Sequence, residues 1–230
     1  MTNVMIVEDQ AMPRQLFELF IRQSENYELL YSIESAGMAE VYCMRRPPDL
    51  ILMDVCTAMG ESGLEAAERI KKKYPQIKII IVTSMPECSY MDRARAAGVE
   101  SFWYKEISRE PILDLMDRTM AGESVYPDAL PEVMIGAASS REFTDRELEV
   151  LRELTSGDPD TEIAARLNMS VWTVRTHIRH LLEKTGFDSR TRLAVEARES
   201  GLVIRDTDFP SYTQRILHTL ERSQNNEGAP

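Results

Sequence analysis

The stretch DLILMDVCTAMG, residues 49–60, decides how the first half of the chain reads. Leu50, Ile51, Leu52 and Met53 form a short unbroken apolar run of strand length. Runs of that kind suit strands buried on both faces of a parallel sheet. Asp54 follows at once, with no basic residue beside it in the chain. A carboxylate at the end of a core strand needs a partner brought from elsewhere by the fold.

Working outward, similar runs recur at Val4–Val7, Leu29–Ile33 and Ile77–Val82, with a weaker one at Ser101–Tyr104. Ile and Val enrichment supports strands. Helical spacing lies between them: Leu16, Leu19 and Phe20; Ala66, Ala67 and Ile70; Ala94 and Ala97; then Ile112, Leu115 and Met116 behind Pro111. Strand alternating with helix predicts an α/β fold, a doubly wound five-stranded parallel sheet, within residues 1–122. The pattern changes after Gly122. SVYPDALPEVMIGAASS carries two prolines and ends in small residues, so 123–140 reads as a linker. Residues 141–204 show only helical periodicity and predict an all-α domain. Residues 205–230 read as a tail with a short helix over FPSYTQRILHTL.

Hydrophobic content of 43% and charged content of 28% fit a globular protein. No apolar run approaches the roughly 18 residues a membrane span needs. MTNVMIVED has no basic n-region, so no secretory signal is expected. Three scattered cysteines point to a reducing, cytoplasmic setting rather than a disulfide framework. The net charge of −11 argues against a general nucleic-acid coat protein, although an average can hide a local basic face.

In an open parallel sheet, ligands bind beyond the carboxyl ends of the strands near the switch point. Glu8 and Asp9 follow the first strand, Asp54 the third, Thr83 and Ser84 the fourth, and Lys105 the fifth. Clustered carboxylates repel unless a cation joins them, and a hard ion such as Mg²⁺ prefers oxygen. A metal beside an ammonium and a hydroxyl suits phosphoryl transfer, with Asp54 as nucleophile. Any one of these residues alone reads best as an ordinary polar strand end. Three carboxylates, a hydroxyl and an ammonium together at the correct ends read as a site.

MIVEDQ, LILMD, IIIVTS and SFWYK, with GLEAAERIKKKYPQIKIIIVTS around the third helix, resemble response-regulator receiver domains of flavodoxin-like fold. The resemblance implies phosphorylation of Asp54 by a histidine kinase. It implies Mg²⁺ held by Asp9, by Glu8 through water, by Asp54 and by the Cys56 carbonyl. It further implies Lys105 and Thr83 on the phosphoryl oxygens, and Thr83 with Phe102 as the switch pair. Ordinary packing is the rival reading for Phe102. Three departures stand out. Ala58 replaces the family's proline four residues after the phosphoacceptor, and Gly63 stands nine on rather than eight, a one-residue insertion in VCTAMGES. The insertion bears on the Cys56 carbonyl and on the loop, and Ser84, where alanine is common, narrows access.

DTEIAARLNMSVWTVRTHIRHLLEKTG reads as two helices broken at Asn168 and Met169, with Asp160 capping the first and Ser170 the second. Ile163, Ala164 and Leu167, then Val174, Ile178, Leu181 and Leu182, give apolar faces. From Ser170 to Arg192 there are five Lys/Arg against two Asp/Glu, a local reversal suited to phosphates. A solvated helix face is the rival. FTDRELEVLRELTSG, TEIAARLNMS, TVRTHIRHLLEKTG and SRTRLAVEA resemble the LuxR-type helix-turn-helix of the NarL/FixJ family. That resemblance implies base contacts from Arg175, Thr176 and Arg179 and phosphate contacts from Thr173 and Lys184. Trp172 departs from the expected polar residue and either stacks on a sugar edge or packs within the domain, packing being the favoured reading, and Thr191–Ser200 is expected to serve dimerisation.

Together these readings predict a two-component transcription regulator that is not an enzyme. Its expected partners are a cognate histidine kinase, a double-stranded operator, a second copy when phosphorylated, and RNA polymerase, with no membrane. The rivals are a DNA binder whose receiver no longer takes phosphate, and a metal-dependent phosphohydrolase. The latter would need a second acid soon after Asp54, where the chain has Val55, Cys56 and Thr57.

Overall fold

A computed structural model describes residues 1–58, 61–105, 111–129 and 131–203. Among the described residues the chain forms two compact units, one built from residues 1–84 and 89–128, the other from 85–88 and 129–203. The expected tail at 205–230 lies outside the described residues.

In the first unit, strands β1 (Thr2–Val7), β2 (Tyr27–Ile33), β3 (Leu50–Asp54), β4 (Lys78–Thr83) and β5 (Ser101–Tyr104) alternate with helices α1 (Ala11–Gln23), α2 (Ala36–Arg45), α3 (Gly63–Lys73), α4 (Tyr90–Ala96) and α5 (Ile112–Met120). The sheet order is β2-β1-β3-β4-β5, and every pairing is parallel. This is the doubly wound order whose direction reverses between β1 and β3. β3 is buried at all five residues, as its unbroken apolar run requires. β2, at the edge, is mostly half-buried. One core joins Val4, Ile6, Leu50, Leu52, Ile80 and Val82 to Phe17, Ile21, Leu115 and Met116 of the helices.

The switch point sets the site. Strand order opens a crevice where β1 and β3 end, so the residues just past Val7 and at Asp54 face a common space. Main-chain bonds hold the neighbouring ends in place: Glu8 N donates to the Ile33 carbonyl at 2.9 Å, and Lys105 N to the Thr83 carbonyl at 2.9 Å.

The second unit differs from the expected linker-then-helices. Within 123–140, β6 (Met134–Ile135) and β7 (Ala138–Ser139) form an antiparallel hairpin. Two-residue strands fall below the length at which alternation is legible. The hairpin belongs to the helical core: Ile135 and Ala138 are buried in it. Ala137 N donates to the Thr185 carbonyl at 2.9 Å. At Gly136, φ is 61°, and a Cβ would stand 2.2 Å from that same carbonyl, so only glycine fits.

Among the described residues four helices follow: α6 (Asp145–Leu154), α7 (Asp160–Arg166), α8 (Val171–Thr185) and α9 (Arg190–Glu199). α6 opens with a capping box between Thr144 and Glu147. α8 is capped by Ser170, whose hydroxyl accepts from Thr173 N at 3.0 Å, and stops at Gly186 with φ 73°. Asn168 breaks α7 from α8 with φ 51°, the left-handed region asparagine tolerates. Ile163, Val174, Ile178, Leu181 and Leu193 close the core.

Candidate phosphoacceptor cleft and nucleic-acid interface

Four elements converge on the cleft. β1 delivers Glu8 and Asp9, β3 Asp54, β4 Thr83, and the residue after β5 is Lys105. Glu8, Asp54 and Thr83 are buried. Carboxylate oxygens of Glu8, Asp9 and Asp54 lie within 4.8 Å of one another. Lys105 Nζ donates to Glu8 Oε2 at 2.6 Å and to Asp54 Oδ2 at 3.0 Å. Gln10 N donates to Glu8 Oε1 at 3.1 Å, and the Arg14 guanidinium to the Glu8 carbonyl at 2.9 Å.

One ammonium among three acids leaves the cleft short of positive charge. Burial pushes the Glu8 carboxyl up to about 7, and the neighbouring Asp54 charge adds to it. Burial likewise raises Asp54 and Asp9. Burial works against the Lys105 ammonium, but the Asp54 and Glu8 charges outweigh it and raise its pKa. The buried Asp9 Oδ1 has no hydrogen-bond partner. An orphaned carboxylate oxygen in an all-oxygen acidic cluster is what a hard divalent cation satisfies. The Cys56 thiol is pushed up to about 12, chiefly by burial, so it stays protonated and offers no thiolate.

The loop after Asp54 is tied down at both ends. Cys56 pairs with Ser62 in an antiparallel bridge, and Gly63 N donates to the Val55 carbonyl at 2.8 Å. The Thr57 hydroxyl accepts from Ala36 N at 2.9 Å and donates to the Glu61 carbonyl at 3.0 Å. The Glu61 carboxylate accepts from Gly37 N at 2.7 Å and from the Ser35 hydroxyl. Thr57, Ala58 and Glu61 thus dock the loop on the turn entering α2, with Ala58 N on the Glu34 carbonyl at 3.2 Å. Sequence reading missed this staple, because its partners lie more than twenty residues apart.

Thr83 pairs with Tyr104 in the sheet, and Phe102 pairs with Ile81. Phe102 is buried, with ring centroids 5.0 Å from Tyr104 and 6.1 Å from Tyr126. The expected switch pair is therefore on adjacent strands, with the aromatic ring packed inward.

In the second unit, Arg175, Arg179 and Trp172 lie on the exposed side of α8, with Thr173 and Thr176 half-exposed beside them. Trp172 is 75% exposed, which corrects the expectation that it packs inside: its face of α8 is the one opposite Val174, Ile178 and Leu181. Asp160 does not cap α7. The cap position is Pro159, without a side-chain bond, and the Asp160 carboxylate is taken by Arg175 and Arg190. Lys184 turns inward. Its ammonium donates to Glu147 Oε2 at 2.7 Å and to the Glu142 carbonyl at 2.8 Å, pinning α8 to the start of α6.

An acidic, lysine-bearing cleft at the switch point of a doubly wound sheet, joined to a helix-turn-helix unit, defines a two-domain DNA-binding response regulator. Residues 4–117 match the response regulator receiver domain, and residues 141–197 match the bacterial regulatory proteins of the luxR family. The response regulator protein VraR of Staphylococcus aureus (strain Mu3 / ATCC 700698) is 31% identical over 209 residues, spanning 87% of this chain and 98% of VraR. The structure of RcsB from Salmonella enterica serovar Typhimurium, bound to promoter rprA with the phosphomimetic BeF3−, aligns with a TM-score of 0.58 at 18% identity, over 85% of this chain and 98% of that one. A LuxR-family two-component response regulator from Aurantimonas sp. SI85-9A1 aligns with a TM-score of 0.51 at 22% identity, over 54% of this chain and 88% of that one. These structural likenesses bear on the fold, and the likeness to VraR bears on the family. The chain belongs to the LuxR/NarL family of response regulators, which are phosphorylation-dependent DNA-binding transcription regulators. Among the described residues, no helix is long and apolar enough to cross a membrane.

Proposed function

We propose that Asp54 is the phosphoacceptor and that its phosphorylation by a histidine kinase controls dimerisation or release of the helix-turn-helix unit on an operator. The convergence of Glu8, Asp9, Asp54 and Lys105 carries this reading. An Asp54 oxygen forms the new P–O bond as the donor's P–N bond breaks. Lys105, already held against Asp54, stabilises negative charge on the transferred group, and the Thr83 hydroxyl takes another of its oxygens. Glu8, Asp9, Asp54 and the Cys56 carbonyl fit a Mg²⁺ ion. When bound, that ion supplies the charge neutralisation that phosphoryl transfer requires. Thr83 and Phe102 pass the change to the β4–β5 edge.

On DNA, Arg175, Thr176 and Arg179 read base edges, with Arg–guanine pairs carrying most of the discrimination. Thr173 and the exposed Trp172 meet the backbone. Lys184 reaches a phosphate only by leaving Glu147, so we assign it chiefly to holding α8. The protein acts in the cytoplasm as a non-enzymatic regulator, with RNA polymerase as its downstream partner.

The test is the intact mass and size of the full chain with Mg²⁺ and acetyl phosphate, beside Asp54→Ala. Gain of one phosphoryl group that needs Asp54, accompanied by dimerisation or tighter operator binding, supports the reading. An unmodified wild type, under conditions that label other receivers, overturns it.

A further inference from the structure

Asp160 is the first residue of α7, the helix packed across α8. A carboxylate there ordinarily serves the helix N-terminus, yet this one faces the arginines of two other helices. Its Oδ2 accepts from Arg175 Nε at 2.9 Å and its Oδ1 from Arg190 Nη1 at 2.8 Å. Arg190 is itself fixed, its Nη2 donating to the Asp158 carbonyl at 3.0 Å. The Asp160 side chain is 15% exposed, whereas that of Arg175 is 69% exposed. The carboxylate is thus a sheltered anchor, and the guanidinium projects from it into solvent. The Arg175 bond holds the Asp160 carboxyl below the ordinary aspartate range, against the opposing effect of burial and with help from Arg190.

Which nitrogen is engaged matters. A guanidinium carries five N–H donors in a rigid fork. Asp160 takes Nε, the donor nearest the stem, and leaves the two Nη groups as the end-on pair that matches guanine O6 and N7. Arg179 is held quite differently. Among the described residues it pairs with Glu183 at 3.8 Å on the same helix, and both side chains are about two-thirds exposed. Such a pair restrains little.

We propose that Asp160 is a positioning residue for DNA reading: it presets the Arg175 fork, so that Arg175 imposes the sharper base preference and Arg179 the looser one. This rests on the reading of α8 as the base-contacting helix. The order that holds a long side chain in one geometry must normally be supplied on binding, at a cost in rotamer freedom. Here the fold has already supplied it through Asp160 and Arg190. The same carboxylate places a negative charge near the DNA backbone, so it trades general affinity for discrimination.

The test uses the full-length protein and a pool of random-sequence duplexes, selected on the wild type and sequenced, with a duplex of unrelated sequence as the non-specific probe. Arg175→Ala and Arg179→Ala assign each arginine its base pair. In Asp160→Asn, preference at the Arg175 base pair falls by about fivefold or more, preference at the Arg179 base pair persists, and affinity for the unrelated duplex holds or rises. Base preference is a ratio within one sample and is independent of the folded fraction. Asp160→Glu keeps the charge but moves the carboxylate by one methylene, and it should lose the same preference without the non-specific gain. A uniform loss on all duplexes, with preference intact, means that Asp160 only braces α7 against α9, and overturns the proposal alone. If Arg175→Ala leaves the selected sequence unchanged, the reading of α8 falls, and the proposal with it.

Discussion

Gly63→Ala tests the geometry of the loop after Asp54 directly. A Cβ built on Gly63 stands 1.8 Å from the Asp54 carbonyl oxygen, 2.9 Å from its carbonyl carbon and 3.0 Å from Met53 Cγ. The two backbones must part by more than about an ångström before that contact is tolerable. Neither is free to move. Asp54 is in register with Val82 inside the sheet, and Gly63 N is bonded to the Val55 carbonyl. Overpacking of this kind costs about 1–3 kcal/mol, and a clash with main chain belongs at the upper end. A displacement of about 1 Å at a reacting group can lower a rate by roughly 100-fold. Gly63→Ala should therefore melt the receiver several degrees lower and slow acetyl phosphate labelling, followed by intact mass, by about two orders of magnitude. Gly122→Ala is the control. Its φ of 97° strains alanine, but a Cβ there meets nothing within 4 Å. It should cost about 1–2 kcal/mol and label at the wild-type rate. Labelling of Gly63→Ala at the wild-type rate, with an unchanged melting temperature, refutes the close approach and the reasoning built on it.

Two further outcomes follow from buried charges. Burial alone would raise the Glu147 carboxyl, but bonds from Lys184 and Thr144 outweigh it and hold it below its ordinary value. A depressed carboxyl contributes stability above its unfolded pKa, about 4.3, and loses it as pH falls through the folded value. The excess protection of α6 and α8 amides in wild type over Glu147→Gln should thus be constant from neutrality to about pH 5 and vanish in stronger acid; an excess that persists there sinks this account. Lys71→Met removes an ammonium, 10% exposed, that donates to Glu100 Oε1 at 2.7 Å and to the Pro75 and Ile77 carbonyls at 3.0 Å each. Breaking a fully buried pair costs about 3–5 kcal/mol; this pair is only partly buried, and Glu100 retains its bond from Ile79 N at 2.9 Å and its ion pair with Lys78 at 3.5 Å, so the loss should fall below that range. A shift in the receiver's urea midpoint worth less than about 0.5 kcal/mol would show the pair to be ornamental.

The acid that ended the run LILMD could be placed from sequence because parallel-strand burial writes itself as an unbroken apolar word. Whatever follows that word lies at the functional edge, and Glu8, Asp9 and Lys105 were legible for the same reason. The helix-turn-helix was legible from apolar spacing and from Asn168 at the break. What escaped was long-range. Nothing in TAMGES announces that Glu61 will cap the turn at Gly37, and nothing in DTEIAAR announces that Asp160 will turn to Arg175 and Arg190. In both cases a local rule has been overridden. Asp160 declines the helix end beneath it, and Trp172, a large apolar residue, lies 75% exposed on α8. Gly63 stands one place late, yet it meets the Asp54 carbonyl as closely as only glycine can. Local preferences are overridden at a cost that folding alone does not recover. The exceptions at Glu61 and Gly63 fall beside Asp54, and those at Asp160 and Trp172 beside or on the face of α8 assigned to DNA, whereas the β6–β7 hairpin, with Gly136 against the Thr185 carbonyl, serves the helical core. The departures at Glu61, Gly63, Asp160 and Trp172 thus mark the same two surfaces that the charge distribution and the strand ends mark independently.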